Sequence, residues 1–253
     1  MTVTRPRLIK AEHPVAVGFS GVDAWVFDLD NTLYPAETDL FAQIDVRIRA
    51  YVAGVLGIAE AEASSVQKDY YRRFGTTLRG LMDLHQVDAA DFLAYVHDID
   101  HSVVAADPRL GLALDRLPGP KYVFTNGSTR HAERTLDALG IADRFTAIFD
   151  VVDAAMVPKP HPDAYAAFFA RTGIVASRAA MFEDLSRNLA VPHALGMRTV
   201  LIVPKDGARD FRDATDSEGG AAPHVQYVAD DLAGFLDLVA QLIESGAISC
   251  RPD

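Results

Sequence analysis

The sequence predicts a doubly wound α/β fold, a parallel sheet (Rossmann-like core) with helices on both faces, interrupted after its first strand by a helical insert. Three features carry this prediction. Short apolar runs recur at strand length, helical patterns closing on glycine separate the later ones, and the interval 36–108 holds helical patterns alone.

In order along the chain, residues 1–20 contain no apolar stretch of signal length and read as a flexible extension. "AWVFDL" from Ala24 is the first strand. The insert follows, with "DLFAQIDVRIRAYVAGVLG", "EAEASSVQKDYYRRFG", "TLRGLMDLHQ" and "AADFLAYVHDID" as its helical stretches. The core then runs "KYVFT" from Lys121, a helix closing on Gly140, "AIFDVV" from Ala147, a helix closing on Gly173, "AAMFE" from Ala179, a helix closing on Gly196, and "RTVLIV" from Arg198. Glycine just past the last periodic residue is the common helix stop, and strands alternating with such helices imply right-handed crossovers and a sheet buried on both faces. "HVQYVA" from His224 reads as an edge strand, "DLAGFLDLVAQLIESG" from Asp231 as a closing amphipathic helix, and the acidic stretch 206–223 as a mobile loop. Residues 21–35 and 109–253 thus form the core.

The 253 residues are 49% hydrophobic and 23% charged, an ordinary folded profile. Lys and Arg number 24 against 35 Asp and Glu, a formal net charge of −11. That balance argues against nucleic-acid backbones and anionic membranes as partners, since both require a basic footprint. A small anionic substrate stays compatible if a metal or a placed lysine inverts the local field. The lone Cys250 excludes an intrachain disulfide, and a cytoplasmic address is the default. Nothing in the sequence indicates the oligomeric state.

Ligands of open parallel sheets bind beyond the carboxyl ends of the strands. The residues at those exits are Asp28 and Asp30 after the first strand, Thr125 and Asn126 after the second, and Glu183 with Asp184 after the fourth; Lys159 lies downstream of the third in "VPKPHP". Each alone has a plain structural explanation: a common acidic pair, a turn-and-cap sequence, a solvated lysine, an acidic helix start. Together they supply a carboxylate pair, a hydroxyl with backbone amides, a cation and a second acidic pair, the parts needed for phosphoryl transfer through an aspartyl phosphate with Mg²⁺.

In this order and spacing, "DLDNTLYP", "FTNGS", "VPKPHPDAY" and "MFEDLSRNL" resemble the four signature motifs of the haloacid dehalogenase superfamily, over about residues 22–203. More narrowly, "DYYRRFGTTLRGL", "YVHDID" and "FTNGSTRHAERTLDALGI" resemble the pyrimidine 5′-nucleotidase branch. The resemblance implies a Mg²⁺-dependent phosphomonoester hydrolase acting on pyrimidine nucleoside 5′-monophosphates, with another small metabolite such as a sugar phosphate or phosphoglycolate, or a phosphomutase reaction, as alternatives. It implies Asp28 as nucleophile and metal ligand, and Asp30 as general acid and then base, its main-chain carbonyl also on the metal. Thr125, Asn126 and Lys159 would hold phosphate and Asp184 would complete the metal shell. Glu183 or Asn188 would supply a further metal contact, because the acid often found a few residues further on is replaced by "SRN". Dehalogenating members lack an acid at the position of Asp30, so its presence favours phosphate esters.

The insert matches the family's helical cap, with Tyr34, a candidate substrate contact, at its hinge. Gly75 is expected to break a helix and leave Thr76 and Thr77 on a loop near substrate, against the simpler reading of Thr76 as a helix cap. A zinc site on His97 and His101, four residues apart, is the rival for "HDIDH", but no third ligand is evident. From a different class, a phosphate-binding regulatory module would share the acids, Thr and Lys, yet such a module is shorter and has no cap.

Overall fold

A computed structural model describes residues 8–205 and 221–248. The first seven residues, most of the expected acidic loop (206–220) and Cys250 lie outside the described residues.

Strand β1 (Leu8–Ala11) and a short helix α1 (Val15–Gly18) precede β2 (Ala24–Phe27). Between β2 and helix α6 (Pro108–Arg116) the regular elements are all helical: α2 (Leu40–Leu56), α3 (Glu60–Phe74), α4 (Thr77–His85), α5 (Ala89–Val96) and two single 3₁₀ turns. Then follow β3 (Lys121–Phe124), α7 (Thr129–Leu139), β4 (Ala147–Phe149), α8 (Pro162–Thr172), β5 (Ala179–Glu183), α9 (Ala190–Ala194), β6 (Arg198–Ile202), β7 (Tyr227–Ala229) and α10 (Leu232–Glu244). Among the described residues no helix is long and apolar enough to cross a membrane.

The seven strands run β1-β7-β6-β5-β2-β3-β4, parallel except for β1. This puts β2 at the centre, flanked by β5 and β3, so the three strands that carry the acidic and threonine exits are adjacent. Alternation along β2 divides the core: Trp25, Phe27 and Leu29 join the cluster on one face, and Ala24 and Val26 the cluster on the other. Phe27 stacks on Phe182 of β5 with ring centroids 4.8 Å apart, which locks the register of the two central strands. The sheet is held rigidly where its carboxyl ends must present side chains.

Two sequence expectations are corrected. From Leu8 onward the amino-terminal segment is not a flexible extension: β1 pairs antiparallel with β7, and Lys10 Nζ donates to the carbonyls of Val225 and Ala222. For the same reason β7 is not an edge; β1 covers it. A smaller difference lies at β4, which stops at Phe149 rather than running through "DVV". Asp150 turns the chain there by accepting from the Thr129 amide and hydroxyl and from the amides of Val152 and Asp153.

Candidate active site

Asp28 follows the last residue of β2, and its main-chain amide still donates to Phe182 O of β5. Its side chain is almost fully buried, with Oδ1 accepting from Lys159 Nζ at 2.7 Å and Oδ2 from the Thr32 hydroxyl at 3.3 Å. Lys159 reaches this point from the turn after β4. Asn126 clamps that turn at two points: its Oδ1 accepts from the Lys159 amide and its Nδ2 donates to the Lys159 carbonyl. The Asn126 side chain thus positions the lysine, a role its place in "TNGS" did not signal.

Lys159 is 1% exposed and directs its three N–H donors to Asp28, Glu183 Oε1 at 2.9 Å and Phe124 O at 2.6 Å. With all three donors taken by protein acceptors, Lys159, expected to bind phosphate, would act on it through its charge. Burial opposes that charge, but Asp28 and Glu183 outweigh it and hold the ammonium above its ordinary value.

Glu183 and Asp184 close the cluster from β5. Asp28, Glu183 and Asp184 each offer an oxygen within 4.8 Å of the others. The Glu183 oxygens already accept from Lys159, from Asn188 Nδ2 at 2.6 Å and from the Leu185 amide at 2.8 Å. Of the three, Asp28 and Asp184 are therefore the better placed for a metal, and Glu183 with Asn188 orients the lysine.

Three buried carboxylates face one buried ammonium, and the imbalance shows in their acidity. Burial pushes Asp28 up to about 7, against the pull of Lys159 and with the help of Glu183 and Asp30. Burial, then Glu183 and Asp28, hold Asp184 well above the usual carboxylate range. Two amide oxygens in the same wall, Asn31 Oδ1 and Asn188 Oδ1, are buried without a hydrogen-bond partner among the described residues. An all-oxygen donor set short of positive charge fits a hard divalent cation.

Asp30 alternates back to the same side as Asp28. Its Oδ1 accepts from Tyr34 OH at 2.6 Å and lies 2.9 Å from His131 Nε2. Burial raises this carboxyl, but the charge and hydrogen bond of His131, joined by Tyr34 and His97, outweigh it and leave Asp30 below its ordinary value. Tyr34, expected at a hinge near substrate, gives its hydroxyl to Asp30. His131 is a functional neighbour that the strand-exit reading missed; the available signal was a polar residue in the first turn of a helix that begins at a site loop.

Thr125 is buried, with its Oγ1 accepting from the Gly127 amide at 2.9 Å. Its hydroxyl proton remains for a ligand, and with Asn126 and Gly127 it lines a cavity of about 490 Å³ above the carboxylates. The opposite wall comes from the insert, including Gln67, Lys68, Tyr71, Arg72, Thr76 and Thr77. Of the two threonines, Thr76 caps α4 by accepting from the Arg79 amide, and Thr77 begins α4 and donates to Gln67 O. The loop expectation holds for Thr76, which lies in the bend between α3 and α4, and is corrected for Thr77, which is helical; both hydroxyls already serve the insert's own structure. Gly75 ends α3 with φ +86°, and a Cβ there would contact Pro158 of the lysine turn at 3.4 Å.

The histidines do not form a zinc site. Among the described residues neither His97 nor His101 joins a group of three metal-ligand side chains; His97 Nδ1 is engaged by Ser128 Oγ, and the two ring nitrogens of His101 meet His131 Nδ1 and the carbonyl of Ile99.

A protein-family model described as haloacid dehalogenase-like hydrolase matches residues 22–196. Phosphate metabolism protein 8 of Saccharomyces cerevisiae is 28% identical over 198 residues, covering 71% of this chain and 61% of that protein. The chain therefore spans less than two thirds of that curated relative. Among solved structures, L-2-haloacid dehalogenase from Xanthobacter autotrophicus matches with a TM-score of 0.51 at 17% identity, over 88% of this chain and 98% of that one. A HAD family hydrolase from Deinococcus radiodurans, with bound phosphate and sodium, matches with a TM-score of 0.50 at 22% identity, over 92% and 100%. These two likenesses are of fold.

Proposed function

The chain belongs to the haloacid dehalogenase-like hydrolases, and from that premise we propose that it is a Mg²⁺-dependent phosphomonoesterase working through an aspartyl phosphate, with pyrimidine nucleoside 5′-monophosphates as substrates. The observation that carries the reading is Asp30. A second carboxyl, anchored by Tyr34 and His131 on the same side of the strand exit as Asp28, suits a leaving group that must be protonated. A halide needs no such group. The name of the yeast relative, which refers to phosphate metabolism, agrees with this choice.

Asp28, Asp184 and the Asp30 main-chain carbonyl would hold Mg²⁺, which supplies charge neutralisation for the phosphate and the carboxylates. An oxygen of Asp28, oriented by Lys159 and Thr32, attacks phosphorus as the ester P–O bond breaks, and Asp30 delivers a proton to the departing oxygen. Asp30 then takes a proton from water, whose oxygen attacks phosphorus and displaces Asp28, releasing inorganic phosphate. Thr125 Oγ1 and the Asn126 amide are the donors for the non-bridging oxygens. Lys159, fixed by Glu183 and Asn126, offsets the charge behind the nucleophile.

For the substrate, the cavity of about 490 Å³ has room for a nucleoside beyond the phosphate. Its insert wall pairs amide and cationic groups with Tyr71, over whose ring the Arg187 guanidinium lies at 4.0 Å. Those groups suit a planar base with polar edges. The test is phosphate release with Mg²⁺ from an aryl phosphate, followed by a panel of nucleotides, sugar phosphates and phosphoglycolate. Asp28→Asn should abolish release while the protein stays folded; full activity in that variant sinks the mechanism. Equal turnover of purine and pyrimidine monophosphates would remove the narrower substrate assignment.

A further inference from the structure

Behind Asp30 lies a chain of rings that the phosphate chemistry above does not use. His131, in the first turn of α7, has no exposed side-chain surface. Its Nε2 meets Asp30 Oδ1 at 2.9 Å and its Nδ1 meets His101 Nε2 at 3.2 Å. His101 Nδ1 in turn meets the carbonyl oxygen of Ile99 at 3.2 Å. The stacked ring of His97 braces one face of His131, itself tied to Ser128 Oγ at 2.9 Å.

The direction of this chain follows from its far end. A carbonyl only accepts, so His101 Nδ1 must carry the proton, which leaves Nε2 of the neutral ring as an acceptor. His131 Nδ1 must then donate to it. For Nε2 to donate to the Asp30 carboxylate as well, the His131 ring must carry both protons, and this imidazolium cannot rotate without breaking both contacts and the stack. On Asp30, the two hydrogen bonds from side chains, from Tyr34 and His131, both fall on Oδ1. Oδ2 has no side-chain partner among the described residues and is the oxygen left for proton transfer.

We propose that His131 is a positioning residue of the hydrolytic reaction. Braced by His101 and His97, it grips Oδ1 of Asp30 and so dedicates Oδ2 to the leaving-group oxygen and then to the attacking water. Histidine suits the place because only a ring with a nitrogen at each end bridges a carboxylate and a second imidazole at hydrogen-bond distance. His97 and His101 stand at the end of α5 and in the 3₁₀ turn just beyond it, so the brace comes from the segment that leads from the insert back to the core.

This inference rests on the reading of Asp30 as the proton donor, and its test separates the two. Asp30→Asn, His131→Ala and His131→Gln are compared on phenyl phosphate, whose leaving group needs a proton, and on dinitrophenyl phosphate, whose leaving group departs without one. For His131→Ala, first-turnover release of phenol from phenyl phosphate should fall by about 10- to 100-fold, since misplacing a general acid forfeits most of its contribution. First-turnover release of dinitrophenolate by the same variant should change little, because that P–O cleavage needs no proton and precedes the hydrolysis of the aspartyl phosphate, in which Asp30 serves both substrates alike. His131→Gln, whose amide N–H can stand in for Nε2–H, should recover much of the loss. Equal losses in first-turnover release on both substrates, no loss on either, or a glutamine variant no better than alanine would overturn the proposal. If Asp30→Asn is itself unselective, the reading of Asp30 fails; if it is selective and His131→Ala is not, only the role of His131 fails.

Discussion

Replacing Lys159 with methionine isolates the electrostatics on which the site depends. The lysine ammonium lies 2.7 Å from Asp28 and 2.9 Å from Glu183, and it is 1% exposed. At an effective dielectric of about 20, each pair attracts by roughly 6 kcal/mol, much of it offset by the cost of taking three charges out of water. Removing only the cation leaves two buried carboxylates uncompensated, and the expected loss of stability at pH 8 without divalent ions is about 3–5 kcal/mol. With a urea dependence near ~2.5 kcal/mol per molar, that lowers the midpoint by about 1–2 M. The loss must depend on pH. Asp28 titrates at about 7 with the lysine present, above its ordinary 3.8, so its charge in the folded state costs stability above that window and the cost fades as pH falls through it. Without the lysine the folded-state value moves higher still. At pH 5 Asp28 is protonated with or without the lysine, its attraction to the ammonium no longer contributes, and the loss should be smaller than at pH 8. The single, fully buried Trp25 provides the fluorescence signal for urea unfolding at both pH values. A loss of equal size at pH 8 and pH 5, or one under about 1 kcal/mol, would show that packing rather than charge accounts for Lys159.

Asn126→Ala removes both hydrogen bonds that fix the Lys159 backbone, and kcat with aryl phosphate should fall by at least about 10-fold while the unfolding midpoint moves little. Chelation with EDTA should abolish turnover, and Mg²⁺ at about 100 times its dissociation constant should raise stability by roughly 2.7 kcal/mol in calorimetry at pH 8. That gain should shrink toward pH 5, where Asp28 holds a proton that the ion must displace. His97, lowered to about 3 by burial and then by His131, binds fewer protons in the folded state than its ordinary 6.5 would allow. Stability is therefore lost as pH falls from about 6.5 toward 3, and His97→Phe, which keeps the ring stack, should flatten that part of a thermal-unfolding profile against pH.

The alternating strands and glycine-closed helices were legible because each is a local pattern with a local physical cause. β1 was not: "LIKA" is short and flanked by charge, and what makes it a strand is β7, with Leu8 opposite Ala229 at the other end of the chain. β4 was overextended because "AIFDVV" is uniformly strand-like in composition, whereas Asp150 gains more from four donors in a turn than a ladder position would offer it. Within the site, position was legible and hydrogen-bond direction was not. The strand exits placed Asp28, Glu183 and Lys159 together, but that Glu183 orients the lysine follows only from its oxygens being taken by Lys159, Asn188 and Leu185.

His131 shows why such residues escape a motif search and how to find them. Lys159 announces itself among prolines in a loop, where a buried charge would otherwise lack an explanation, while His131 sits inside a helical pattern that already accounts for a half-polar face. The difference lies in the turn of the helix it occupies. In a parallel sheet with crossover helices, the first turn of each helix begins at the carboxyl edge where the strands end, so a polar side chain on the inward face of that turn is brought to the ligand edge by topology alone. His131 meets that condition after β3, and Arg187 does so in the 3₁₀ turn after β5, lining the cavity beneath Tyr71. Inward first-turn polar residues therefore belong beside the strand exits as positions where a parallel sheet places ligand-facing chemistry.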